Sequence, residues 1–268
     1  MLRFLSWFAL ALLVACPTGS VQAVGGDPVA DAKRAVEPLA LEFKVAENAM
    51  RDRLSAMRET PDYKEAYEAK EWDKLRALSD GIVNPVMEEW KEKFAGVAKL
   101  YAGKEAELVV AAAQLRLRLL ADPGEAVERL VDAYASSAHL GGVIQSPRVP
   151  QGMKPERFAA LMTKVIEENA SKEIQAQAYF NRGSSHRRGR DLTDEQKAAS
   201  EADFTKVIEL LPSDALLSLK AQGPRFEETR LQTGMKAPDI AGVDLFGEKF
   251  KLSDYAGKVV MLDFWGDW

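Results

Sequence analysis

From Asp31 to about Arg230, apolar residues recur at the three-and-four spacing of a helix, and no stretch alternates with the period of a strand. That pattern restricts the body of the chain to packed helices. Leu39, Leu41, Phe43, Val45, Met50, Leu54 and Met57 mark a first helix, and Pro61 ends it. A second helical stretch runs from Lys64 to Ser79, with Gly81 and Pro85 expected to interrupt it. Further helices are expected over Met87 to Tyr101, Glu105 to Leu120 and Gly124 to Ser137. Gly141 to Met153, rich in glycine and proline, reads as the clearest internal loop. Helices then follow at about Pro155 to Asn169, Lys172 to Arg188 and Glu195 to Leu211. Trp72 and Trp90 fall inside helical stretches and are expected in the core.

The segment from Ala176 to Pro212 says most about how these helices pack. Ala178-Tyr179-Phe180-Asn181-Arg182-Gly183 lies in one helix, and Ala202 to Leu210 forms the next, which Pro212 ends. This pair resembles a tetratricopeptide repeat (TPR). The resemblance implies that Gly183 lets two antiparallel helices approach closely while Phe204 and Val207 fill the face between them. The expected turn, Gly189 to Lys197, is longer than the family's. Phe94 with Lys104-Glu105, and Phe158 with Lys172-Glu173, hint at a second unit. A single repeat cannot bury its own faces, so residues 31–230 read as an irregular TPR-like array of stacked helices.

Ahead of that array stands an export signal, expected over residues 1–23. Arg3 supplies the charged end, and Leu5 to Ala15 an apolar run too short to span a membrane, which takes about 20 residues. Val21-Gln22-Ala23 offers one processing site. Leu13-Val14-Ala15-Cys16 offers another, resembling a lipobox in which Cys16 carries the lipid, although Pro17 is unusual there. Residues 24–30 read as a Gly/Pro linker. Cys16 is the one cysteine of the chain, so no intrachain disulfide can form. Two histidines far apart in sequence leave no zinc-site spacing. A net charge of −5 disfavours a nucleic-acid partner, which would need a basic surface.

At Gly234 the pattern changes class. Gly-Met-Lys-Ala-Pro-Asp-Ile (234–240) leads into Asp244-Leu-Phe-Gly-Glu-Lys-Phe-Lys-Leu (244–252), where Gly247 marks the tight connection of a hairpin. Ser253 is expected to cap a single helical turn, and Gly257 to end it. Val259 to Trp265 is a continuous apolar run with one acid, as in a strand buried on both faces of a sheet. The fold class is therefore mostly α: a helical array, then a hairpin and strand opening an α/β domain over 231–268.

These residues resemble the redoxin branch of the thioredoxin superfamily, related to the AhpC/TSA group. The likeness is closer to the TlpA/ResA-type thiol-disulfide oxidoreductases of bacterial cell envelopes. That family runs from Gly-x-x-Ala-Pro-Asp through Asp-Leu-x-Gly and Leu-Ser-Asp-Tyr-x-Gly-Lys to a strand ending in Phe-Trp-x-x-Trp-Cys-x-x-Cys. The chain matches each piece in order up to Trp268. The resemblance implies a dithiol directly after Trp268, so the chain is expected to be inactive in disulfide exchange by itself. It also implies that Asp263 is a buried acid beneath that dithiol, able to take a proton from the resolving cysteine. Trp265 and Trp268 would flank the pair. The implied partners are protein thiols or disulfides, the implied location extracytoplasmic, and no cofactor is implied. Membrane contact would come through Cys16 alone.

Peroxiredoxins share the early segments. Their strand, however, leads into a Pro-x-x-x-Thr/Ser-x-x-Cys loop, and Phe264-Trp265-Gly266-Asp267-Trp268 has neither the proline nor the hydroxyl residue. A third reading makes the helices a binding scaffold and the redox segment a vestige. Arg182, Arg187, Arg188 and Arg190 are expected to offset a helix C-terminus. Ser184-Ser185-His186 has no evident acid and adjacent helical residues do not face each other, so catalysis is not expected there.

Overall fold

Most helices start where a side-chain oxygen can accept from a free backbone N–H, often with proline beside it. The computed structural model describes residues 27–187 and 191–264. The Asp27 carboxylate accepts from the Val29 N–H at 3.0 Å ahead of α1 (Pro28–Arg58). Thr60 and Asp122 act likewise ahead of α2 (Pro61–Glu68) and α5 (Pro123–Tyr134), each with proline at the first helical position. The helix therefore begins three residues inside the expected linker. Between these elements lie α3 (Trp72–Tyr101) and α4 (Glu107–Leu117). After a 3₁₀ turn at Leu140–Gly142 come α6 (Pro155–Glu168), α7 (Lys172–His186), α8 (Asp194–Leu210) and α9 (Leu216–Arg230). Thr193 and Gln196 form a reciprocal capping box at the start of α8.

The expected break at Gly81 and Pro85 does not occur, because α3 runs through both. Pro85 frees the carbonyl of Gly81, but both residues are exposed, so water can satisfy it. Buried Leu75 on one side, and Trp90 and Phe94 on the other, hold the two halves of the helix to the core. The break falls instead at Ala69 to Glu71, where Lys70 takes a left-handed φ of 57°. Trp72 stands just past it and is 59% exposed, edge-on to Tyr67, so it is not a core residue. Trp90 is buried against Phe43, as expected.

Three apolar cores lie in series. The first joins α1, α3 and α4 through Val36, Phe43, Trp90, Phe94, Val110 and Ala113. The second packs α4 to α7 around Leu108, Leu130, Leu140, Phe158, Met162 and Val165. The third joins α7 to α9 through Ala176, Phe204, Val207 and Ala221. Helix α4 serves two cores: Val110 and Ala113 face the first, Leu108 and Ala111 the second. Helix α7 does the same with Ile174 and Ala178 on one side and Ala176 on the other. Apolar residues thus surround these two helices, which is why neither reads as one-sided.

The α7–α8 pair packs as the sequence suggests. A Cβ on Gly183 would lie 3.0 Å from both Asp203 Cβ and Phe204 Cε1, so the missing side chain sets the approach. Phe204 and Val207 are buried there, and α8 ends two residues before Pro212. Beyond α9 the chain forms a two-stranded antiparallel sheet, β1 (Ala241–Val243) and β2 (Lys249–Lys251), with Gly242 opposite Phe250. A second 3₁₀ turn, Leu252–Tyr255, follows.

Candidate functional site

The segment from Gly234 is held together mainly by carboxylates that accept from backbone N–H groups. Asp244 spans the hairpin turn, accepting from the Phe246 and Glu248 N–H groups at 2.8 and 2.9 Å. Gly247 takes a φ of +86° in that turn, a conformation that glycine adopts without strain. The Asp254 carboxylate accepts from the Lys251 N–H at 2.7 Å, so Asp254 rather than Ser253 secures the start of the 3₁₀ turn. Ser253 has another task. Its N–H and its hydroxyl both donate to Asp239, each at 2.9 Å. The Leu252 N–H also donates to the Ile240 carbonyl at 2.8 Å.

The Ala-Pro-Asp segment is therefore clamped to the Leu-Ser-Asp-Tyr turn across the hairpin. The two hydrogen bonds from Ser253 hold the Asp239 carboxyl below its ordinary value, with Lys251 adding to the effect. Neither motif signals its partner in the sequence. Serine fourteen residues from aspartate carries no periodic signal, and only the hairpin register brings the two together. Gly257, at φ +82°, ends the turn as expected.

Beyond it the structure departs from expectation. Val259 to Phe264 forms no strand and lies exposed, with Asp263 among the exposed residues. A strand buried on both faces needs neighbours in the sheet, and the described sheet pairs β1 with β2 alone. The burial expected for Asp263 is thus not in place. Trp265 and Trp268 lie outside the described residues, as does Cys16. Among the described residues no group of three or more His, Cys, Asp or Glu side chains is placed to hold a metal, and no described helix is long and apolar enough to cross a membrane.

Arg182 serves a different purpose from offsetting the helix end. Arg182 makes two bonds to the Asp203 carboxylate, Nε–Oδ2 at 3.0 Å and Nη2–Oδ1 at 2.6 Å. Its third nitrogen donates to the Thr163 hydroxyl at 2.8 Å, which ties α6, α7 and α8 together. The hydrogen bonds to the Asp203 carboxylate, together with its charge, raise the Arg182 pKa above its ordinary value. Arg187 pairs with Glu228 of α9 at 2.9 Å, and Arg188 and Arg190 lie outside the described residues. Asp203 also stands 3.9 Å from His186. Its oxygens are committed to Arg182, however, and the Ser185 hydroxyl donates to the Arg182 carbonyl at 2.7 Å. No nucleophile–base contact results.

Over 65 residues the chain is 38% identical to the thiol-disulfide oxidoreductase ResA of Bacillus cereus (strain ATCC 10987 / NRS 248). Part of this chain is similar to ResA oxidoreductases. The ResA of Geobacillus kaustophilus (strain HTA426) is 50% identical over 42 residues, and that of Geobacillus thermodenitrificans (strain NG80-2) 48% over the same length. The Bacillus match takes in 24% of this chain and 38% of ResA. Each Geobacillus match takes in 16% of this chain and 24% of its relative. The chain therefore spans well under half the length of these relatives. The likeness supports a thioredoxin-like redoxin segment. No family model matches the chain, and no solved structure does.

Proposed function

We propose that this chain is the N-terminal part of an exported bacterial thiol-disulfide oxidoreductase of the TlpA/ResA type, with residues 231–268 opening its thioredoxin-like domain. The observation that carries the reading is the clamped motif series. Ala-Pro-Asp, the Asp-Leu-x-Gly hairpin and Leu-Ser-Asp-Tyr-x-Gly-Lys occur in order and are joined by the Asp239–Ser253 contact. The likeness to ResA supports the same reading.

Disulfide exchange needs two thiols. One attacks as the thiolate, forming a mixed disulfide and releasing one substrate sulfur. The second then displaces the other substrate sulfur, leaving the dithiol oxidised and the substrate as two thiols. Cys16 is the single cysteine among the 268 residues, and on this reading the dithiol would be supplied from beyond Trp268. In the assembled sheet Asp263 would lie beneath it and receive the proton of the resolving thiol, while Trp265 and Trp268 flank the exchange site. The TPR-like helices would dock the redox partner, and export would proceed by cleavage after Ala23 or by lipidation of Cys16.

The test is to read the codons that follow Trp268 and to treat the encoded protein with a thiol-alkylating mass tag. A Cys-x-x-Cys pair that takes up two tags when reduced and none when oxidised is expected. Absence of a cysteine pair there would overturn the proposal.

A further inference from the structure

Beneath the loop that links the 3₁₀ turn at Leu140–Gly142 to α6 lies a cavity of about 410 Å³. Its walls come from α4, α5, the loop and α6. Leu115, Val127, Val143, Val149 and Phe158 line it, together with Arg116 and Arg148 and no carboxylate. The lining therefore carries two positive charges and no negative one. Both arginines are exposed residues, and neither forms an ion pair with a carboxylate among the described residues. A larger groove of about 630 Å³ between α8 and α9 differs in this respect. There Arg187 is paired with Glu228, and Arg225 stands 3.8 Å from Glu201.

The smaller cavity is also rigidly framed. The Asn181 side-chain amide, fully buried, donates to the Ile144 carbonyl at 2.6 Å and pins one end of the loop. At the other end a Cβ on Gly124 would lie 2.7 Å from the Gln151 carbonyl oxygen, and Gly152 holds a φ of +86°. Gly142 approaches Ala112 so closely that a Cβ would sit 2.8 Å from the alanine methyl. A preformed apolar cavity of this size with a few charged groups at its rim suits a small ligand. The excess of positive charge specifies an anion.

We propose that this cavity binds a small amphipathic carboxylate, its apolar chain on the Leu115, Val127 and Phe158 floor and its carboxylate between Arg116 and Arg148. Arginine suits that role because its planar fork matches a carboxylate and stays charged at every working pH. The site is independent of the redox reading, since no residue of 231–268 lines it.

Octanoate is the probe, titrated calorimetrically into the full chain. One-to-one binding is expected, weakening as salt rises. Arg116→Gln and Arg148→Gln should each lower affinity about tenfold, the loss of a charge-assisted contact. Octanol should bind at least about tenfold more weakly than octanoate on the same ground. Arg230→Gln, in the larger groove, should leave affinity unchanged. In wild-type protein, nuclear Overhauser contacts should connect the octanoate methylenes to Phe158 and Val143. The proposal is overturned if octanol binds as well as octanoate or if both arginine variants bind like wild type. Contacts to Leu219 or Phe226 instead, or capture at these arginines of an acidic apolar peptide but not octanoate, would overturn it equally.

Discussion

Arg182 and Asp203 form the charged pair whose loss the array should feel most. Their side chains are 23% and 6% exposed. Replacing Arg182 by Met removes both bonds to Asp203 and the bond to Thr163. The Asp203 carboxylate is then left buried, with His186 Nε2 at 3.9 Å, beyond hydrogen-bond reach. Breaking a fully buried pair by removing one partner costs about 3–5 kcal/mol. Arg182 is partly exposed, and water entering from that side should lower the cost to about 2–4 kcal/mol. At roughly 2–4 °C per kcal/mol for a body of this size, the melting temperature should fall by about 4–16 °C. Thermal unfolding followed by circular dichroism measures that directly. The double variant Arg182→Met/Asp203→Leu removes both charges and should recover most of the loss, to within about 1 kcal/mol of wild type. A single variant as stable as wild type would refute the reasoning. A double variant as unstable as the single one would show that packing, rather than pairing, carries the effect.

Four further outcomes are expected. Gly183→Ala should destabilise by about 1 kcal/mol because the Cβ meets Asp203 and Phe204, each held by its own partner, and this overpacking outweighs the gain in helix propensity. Gly96→Ala, in open space on α3, should instead stabilise by about 0.5–1 kcal/mol, and urea denaturation distinguishes the two. The Asp239 carboxyl is depressed, so the clamp to Ser253 should persist above the ordinary aspartate pKa of about 3.9 and be lost as pH falls through the lowered value. The Ser253 amide shift should therefore titrate below that range, and Ser253→Ala should return the Asp239 midpoint towards it. Limited proteolysis should cut within 231–264 before any site in α4 to α7, since that segment is almost wholly exposed while those helices share a core. Equal resistance of the two would contradict this.

The helical architecture was legible where local chemistry sets it. Pro61 and Pro212, which fall beside helix ends, and the small residue at Gly183 are signals that neighbours in sequence complete. What sequence missed depends on distant neighbours. Pro85 is accommodated because its side of α3 faces water while Trp90 and Phe94 anchor the other, and periodicity alone cannot weigh those terms. Arg182 reads as a helix-end cation until Asp203, on the next helix, is seen beside it. The separate helix α9 went unnoticed, since Pro224 sits within it and its buried residues, Ser218 and Ala221, are small. The redox segment was readable from motif order, and its hairpin formed as expected. The burial expected for Asp263 could not be judged from sequence, because a strand's environment belongs to the strands beside it.

Insulin disulfide reduction, followed as turbidity in the presence of dithiothreitol, tests the central claim most directly. The protein encoded by the whole reading frame is compared with the chain ending at Trp268. The account predicts that the longer protein accelerates precipitation above the dithiothreitol baseline, while the 268-residue chain, with its single cysteine, does not. A longer protein no faster than the baseline, or a 268-residue chain that accelerates by itself, would contradict it.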